Sequence, residues 1–282
     1  MARDHARNSA FETAIRRAVR PGSRVLEIGT GTGLFAMMAA RAGAAEVITC
    51  ERNPAVAAAA SEAIARNGFT NRVRVIEKSS VEIKVGLDLV EPADLLLWDV
   101  LDNSIVGAGG LPLVEHAVRH LLRSDAPVIP ARGSVRVALT EDHSPPERQM
   151  PISVNGFDLT PFNELEHPWY YVRGDGSPIS QRSDPADLLR FDFQSGLLPK
   201  ARDSLSLSSS GGVVNGIIQW LRLEMDDSEW YENSPFPALR LSAHRQRVWP
   251  LARPINMACG TTLIVEGKHN RKSLRLSVDT QD

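Results

Sequence analysis

The stretch "VLEIGTGTGLF" sets Gly29, Gly31 and Gly33 behind an acid, Glu27, and ahead of an apolar run. Alternating glycines let a backbone turn tightly and come close to a ligand. A helix that starts just after them presents unpaired N–H groups to that ligand. Glu51 closes the next apolar run, "EVITCE", where a carboxylate can bind both hydroxyls of a ribose. Glu27 at the head of the loop repels a pyrophosphate and suits a nucleoside that carries positive charge. S-adenosylmethionine has a sulfonium, an ammonium and no phosphate, so it is the expected cofactor.

A second group of residues could act on an acceptor. In "WDVLDNSIVGAG", Asp99 ends an apolar run and Asp102 follows in the loop. A carboxylate there can orient an N–H group and take its proton. Asp102 has a second reading, as a cap of its own loop. His244 could serve as base or N–H donor. His116 and His120 have the spacing of a metal pair, but no third ligand accompanies them and no metal is expected. Trp98, Trp169, Tyr170, Tyr171, Trp220 and Trp249 are candidates for an aromatic wall, each with an alternative place in the core.

The elements that must position these groups alternate along the first 130 residues. "AFETAIRRAV" carries Phe11, Ile15 and Val19 at helical spacing. "RVLEIG", "EVITCE", "RVRVIEK" and "ADLLLWDV" read as buried strands, and "LFAMMAARAG", "NPAVAAAASEAIARNG" and "LPLVEHAVRHLL" as helices. Gly43 and Gly68 end two of the helices, and Pro54 opens one. Such alternation predicts an α/β fold with a parallel, Rossmann-like sheet over residues 1–130. From 131 to 282 the chain turns β-rich, with "GSVRVALTE", "GIIQWLRLEMD", "LRLSAHRQRVWPL", "TTLIVEGK" and "SLRLSV" strand-like. Residues 141–185 read as mostly loop, and "SLSLSSSGG" as a linker.

Bulk properties exclude some partners. At 282 residues and 43% hydrophobic content the chain can bury a large core. A net charge of −2 offers no electrostatic case for nucleic acid or an anionic membrane. The N-terminal stretch has no apolar core of a secretion signal and no run suits a membrane span, so a cytoplasmic location is expected. Cys50 and Cys259 stand alone, without a disulfide framework or metal spacing.

Together these motifs resemble those of protein arginine methyltransferases, most closely the monomethylating branch. "VLEIGTGTGLFAMMAARAGA", "CERNP" with Arg52, "NGF", "DHARNSAFETAI", "GAGGLPLVEHAVRHLL" and "GIIQWLRLEMDD" carry the likeness over nearly the whole chain. The resemblance implies a class I methyltransferase domain followed by a β-barrel-like domain. It also implies a homodimer joined by an arm, for which residues 150–185 are the candidate. On the same ground Arg7 would pair with the methionyl carboxylate of the donor, Glu51 would hold the ribose, and Ser79 and Ser80 would flank the adenine.

Two acceptor motifs depart from the family pattern. The family grips a guanidinium with two glutamates on one loop, and here those positions fall on Asp99 and Ala108. A closing Thr-His-Trp motif falls on Ser242, Ala243 and His244. Removing one partner of a buried cation costs about 3–5 kcal/mol. A neutral small-molecule acceptor, an indole-type natural product methylated at carbon or nitrogen, is therefore the expected substrate. Arginine, in a peptide or free, is the alternative.

Overall fold

The computed structural model describes residues 2–145, 153–165, 167–172, 178–236, 242 and 244–279. Its first half runs α1 (His5–Ala18), β1 (Arg24–Ile28), α2 (Leu34–Arg41), β2 (Glu46–Cys50), α3 (Pro54–Arg66), β3 (Val73–Ile76), β4 (Leu95–Trp98), α4 (Gly110–His120) and β5 (Val128–Ile129). The strands form one parallel sheet in the order β3-β2-β1-β4-β5. Helices cover both faces, so the strands are apolar at successive positions rather than alternate ones. All four residues of β4 are at most 1% exposed. The chain crosses the sheet between β1 and β4, and the loops after these two strands open side by side at the carboxyl edge, where such sheets bind ligands.

Helix α1 follows from its sequence. The Asp4 carboxylate caps it, accepting from the Arg7 N–H at 3.1 Å. Arg7, Phe11 and Ile15 recur every fourth residue and all turn inward, and Phe11 stacks on Phe35 of α2 with ring centres 4.1 Å apart. That spacing points Arg7 toward the loop edge of the sheet.

The second half is antiparallel. It contains β6 (Arg132–Asp142), β7 (Ser153–Val154), β8 (Phe157–Asp158), β9 (Tyr170–Tyr171), β10 (Ile179–Gln181), β11 (Ala186–Asp192), β12 (Ala201–Ser208), β13 (Gly212–Glu224), β14 (Trp230–Glu232), β15 (Arg247–Met257), β16 (Thr262–His269) and β17 (Leu274–Asp279). One sheet follows the path β10-β6-β13-β15-β9, with β11 beside β6 and β14 beside β13; another runs β12-β16-β17. No helix of the described residues is long and apolar enough to cross a membrane.

Two segments depart from the sequence reading. The expected linker over 204–212 is largely strand β12, paired along its length with β16. Its serines alternate with Leu205 and Leu207, and Leu207 is buried, so the period of two outweighs the flexible composition. The expected strand "LRLSAHRQRVWPL" begins only at Arg247. Of the preceding residues, 239–241 and 243 lie outside the described residues, and 242 with 244–246 form a loop.

Helix α1 is fastened to the antiparallel half near both ends. The Tyr231 hydroxyl of β14 donates to Asp4 at 2.7 Å. At the other end Arg17 donates to Ser228 at 2.7 Å and faces Asp226 and Glu229 at 3.5 and 3.9 Å.

Candidate functional site

The glycine loop leaves β1 and enters α2 beneath Arg7. Gly29 holds a φ of +82°, and a Cβ added there would lie 2.8 Å from Val100 in the loop after β4. Only glycine allows the two loops to pack this closely. Two cavities adjoin at Gly29. One, about 170 Å³, is lined by Arg7, Glu27, Thr30, Gly31, Phe35 and Asp99, among others. The other, about 340 Å³, is bounded by Glu51, Arg52, Ser79, Ser80, Val100 and Ala108, among others. The structure therefore gathers the expected donor residues into a charged compartment and a neighbouring nucleoside-sized one. Gly33 lies just beyond, at φ +75°, as the N-cap of α2.

Charge is concentrated in the smaller compartment. Arg7 is buried, and desolvation lowers its pKa to about 10. Its guanidinium lies against Phe11 and Phe35 and donates from Nη2 to Asp99 Oδ2. Arg7 Nε and Asp99 Oδ1 have no hydrogen-bond partner among the described residues. Glu27 is fully buried, and burial raises its pKa to about 8 against the opposing hydrogen bond from Thr49, which is 2.5 Å long. At neutral pH Glu27 is largely protonated, so a cation entering beside it would draw the proton off. In the larger compartment the buried Ser80 hydroxyl is also without a partner among the described residues. Glu51 sits at the mouth, accepting from Asn53 N at 3.0 Å and Gly31 N at 3.5 Å.

The loop after β4 is built around Asp102. Its Oδ1 accepts from Ser104 N (3.0 Å), Ser104 Oγ (2.8 Å) and Gly107 N (2.9 Å). Its Oδ2 accepts from Arg247 Nη2 at 3.1 Å. Of the two readings of Asp102, the loop cap describes its contacts. Ile105 follows at φ +72°, strained for a β-branched side chain and held by an N–H bond to the Asp102 carbonyl of 3.0 Å.

Asn103 was not singled out from sequence, yet it binds this loop to three parts of the antiparallel half. Its carbonyl accepts from Gln219 (2.7 Å), its Oδ1 from the Arg245 N–H (2.8 Å), and its Nδ2 donates to the Tyr171 hydroxyl (3.0 Å). An Asn beside a capping Asp was the available signal; its partners, up to 142 residues away, were not.

His244 is buried. Its N–H donates to Ser242 Oγ at 3.0 Å, its carbonyl accepts from Asn233 at 2.7 Å, and its Nε2 has no partner among the described residues. Burial, then the positive charge of Arg7, push its pKa down to about 4, so the ring is neutral at neutral pH. Ser242 also meets the Tyr231 hydroxyl at 2.6 Å, while Ala243 lies outside the described residues. Ala108 lines the nucleoside-sized cavity rather than the charged one. The His116 and His120 rings lie 5.0 Å apart, and no group of three metal-type ligands exists among the described residues. Trp98 and Trp220 are fully buried in the core and Trp249 nearly so, whereas Trp169 and Tyr171 flank Arg247.

Comparison with known proteins places the chain in a family. The family model for ribosomal protein L11 methyltransferase (PrmA) matches residues 8–118. Over 99% of its length the chain is 33% identical to an arginine N(omega)-methyltransferase of Streptomyces achromogenes subsp. streptozoticus, covering 77% of that protein. The chain belongs to the arginine methyltransferase family. It is an S-adenosylmethionine-dependent methyltransferase. Protein arginine N-methyltransferase 7 of Oryza sativa subsp. indica is 30% identical over the whole chain, which spans 44% of that longer relative. The fold is shared with the Trypanosoma brucei PRMT1 enzyme–prozyme heterotetrameric complex with AdoHcy, at a TM-score of 0.82, 22% identity and coverage of 100% of this chain and 92% of that one. It is also shared with Arabidopsis thaliana protein arginine methyltransferase 10, at a TM-score of 0.80, 16% identity and coverage of 99% and 90%.

These relatives overturn the expectation of a neutral, indole-type acceptor. That expectation equated the loss of a glutamate at Ala108 with the loss of guanidinium binding. In the folded loop both remaining acids hold a guanidinium, Arg7 on Asp99 and Arg247 on Asp102.

Proposed function

We propose that the chain methylates a guanidine nitrogen of arginine. The observation that carries this reading is Asp99: a carboxylate on the wall of the donor cavity, engaged with a guanidinium through one oxygen and free at the other. Within this proposal residues 1–130 hold the donor and residues 131–282 complete the acceptor site. Glu51 binds the ribose, Arg52, Ser79 and Ser80 border the base, and the loop of Gly29, Gly31 and Gly33 lies under the donor's centre. The donor supplies an electrophilic methyl group and a carboxylate. Arg7 takes that carboxylate, which releases Asp99 toward the acceptor.

Asp99 then orients the acceptor guanidinium, concentrates electron density on the nitrogen it does not bind, and accepts the proton lost on methylation. Glu27 answers the donor's positive charge from below. His244, neutral and weakly basic, lies within the field of Arg7, and Asp102 shapes the loop. Positioning is the main catalytic device. A homodimer belongs to the same proposal: the arm segment 153–165 exposes Val154, Phe157 and Phe162, side chains suited to burial against a second copy. The bacterial relative is named for arginine and the plant relative for protein arginine, so both forms are offered in the test. Labelled S-adenosylmethionine is supplied with L-arginine and with an arginine-rich peptide, and products are read by mass spectrometry. Label on a guanidine nitrogen is expected; label on neither, with the donor bound, overturns the reading.

A further inference from the structure

The wall facing the acceptor loop carries more positive charge than the loop can answer. Arg247 is about nine-tenths buried and lies 3.1 Å from Asp102, with its guanidinium 4.0 Å from the ring centre of Trp169. Its Nε–H has no acceptor among the described residues. Arg245, two residues earlier, is exposed and stacks 4.3 Å over Tyr171. Among the described residues it has no ion-pair partner, and its side chain donates only from Nη2 to the Val172 carbonyl, at 3.3 Å. Both arginines are therefore splayed on an aromatic shelf, beside a loop that Asn103 ties to the Arg245 backbone. Of these two cations only Arg247 meets Asp102, a carboxylate that also accepts from three donors of its own loop, and Arg245 is left without an acid among the described residues.

An acceptor guanidinium held by Asp99 adds positive charge to a loop whose other acid, Asp102, is already engaged by Arg247. A buried guanidinium cannot give up its counter-ion without receiving another. An arginine inside a cationic peptide brings none and adds like charge to the wall. An arginine with a free α-carboxylate brings the missing anion. We propose that Arg245 and Arg247 form a carboxylate subsite, so that the acceptor is arginine with a free carboxyl group, either the amino acid or the last residue of a peptide. This rests on the reading of Asp99 as the acceptor's guanidinium site. Planar guanidinium groups held flat on aromatic rings present their N–H edges for two-point contact with a carboxylate.

The test compares kcat/KM for L-arginine, agmatine (which lacks the carboxylate), a peptide ending in free arginine, and the same peptide amidated. The free-carboxyl member of each pair is expected to be about 10- to 100-fold better, the range of a charged hydrogen-bonded contact. Because Arg247 also supports the loop, Arg245→Ala is read first. It should shrink the L-arginine to agmatine ratio by about tenfold, through KM rather than kcat. The ratio between free arginine and the free-carboxyl peptide separates the two sources. Agmatine matching L-arginine, an amidated or internal-arginine peptide matching the free-carboxyl one, or an unchanged ratio in Arg245→Ala overturns the subsite. Methylation of no guanidine at all, with donor binding intact, instead removes the arginine reading on which it rests.

Discussion

The proposed donor half and the proposed acceptor half of the cleft are built in opposite ways. The donor half comes from the turns after β1, β2 and β3 of one parallel sheet, each closed by residues near one another in the chain, with Arg7 added from α1. The acceptor half comes from three distant pieces: the loop from Asp99 to Gly109, the aromatic pair Trp169 and Tyr171, and the turn from His244 to Arg247. They are joined by Asn103 and by the Asp102–Arg247 pair. Local construction makes the donor half robust to change elsewhere. Long-range construction lets a few substitutions retune the acceptor half while the donor half stays as it is.

The contrast breaks most sharply at Asp99, which faces both halves. Asp99→Asn should lower kcat by about 10² to 10³, the size expected when a partner of a desolvated cation is removed. Donor affinity measured by calorimetry should be unchanged or tighter, because Arg7 is then free for the donor's carboxylate. Weaker donor binding would place Asp99 in the donor half instead.

A smaller effect is expected from Asn103→Ala, which removes both side-chain contacts that hold the loop to the turn and to Tyr171. At about 1 kcal/mol per hydrogen bond, kcat should fall by about tenfold or somewhat more, with donor Kd unaffected. Asn103→Asp, which keeps the acceptor for Arg245 N–H, should recover part of the loss. Equal loss in both halves would mean that the loop supports the whole fold rather than the acceptor alone.

The smallest effect lies on the donor side, at Glu27. Burial raises its pKa to about 8, so below that pH the free protein holds a proton that a bound cation expels. Donor affinity should therefore rise with pH up to about 8, by at most about tenfold per unit, and level off above it. The same raised pKa means that the unfolded chain loses this proton first as pH rises, so the Glu27 contribution to stability declines between its ordinary range and about 8. Glu27→Gln should flatten the affinity profile; an unaltered slope would assign it to another group.

How much was legible follows the same division. The glycine loop, Glu51 and the order of strands and helices were readable because each depends on a short-range period or a fixed turn. Arg7 was placed by its motif, but its contact with Asp99, 92 residues away, has no local signature. The Asp102–Arg247 pair spans 145 residues and was invisible for the same reason. The inference of a neutral acceptor counted the missing acid at Ala108 and could not see that the remaining acids already hold guanidinium groups. Over 204–208 the failure was different: the alternation of Leu205 and Leu207 was present, and serine-rich composition hid it.

The double fastening of α1 has a mechanical consequence. The helix that roofs the charged compartment is staked to the antiparallel half through Tyr231 at one end and through Arg17 at the other. It cannot swing open as a door on its own hinge without first letting go of that frame. Of the two fastenings, the buried Tyr231–Asp4 contact is the stronger and the exposed Arg17 cluster the weaker, since solvent screens the latter.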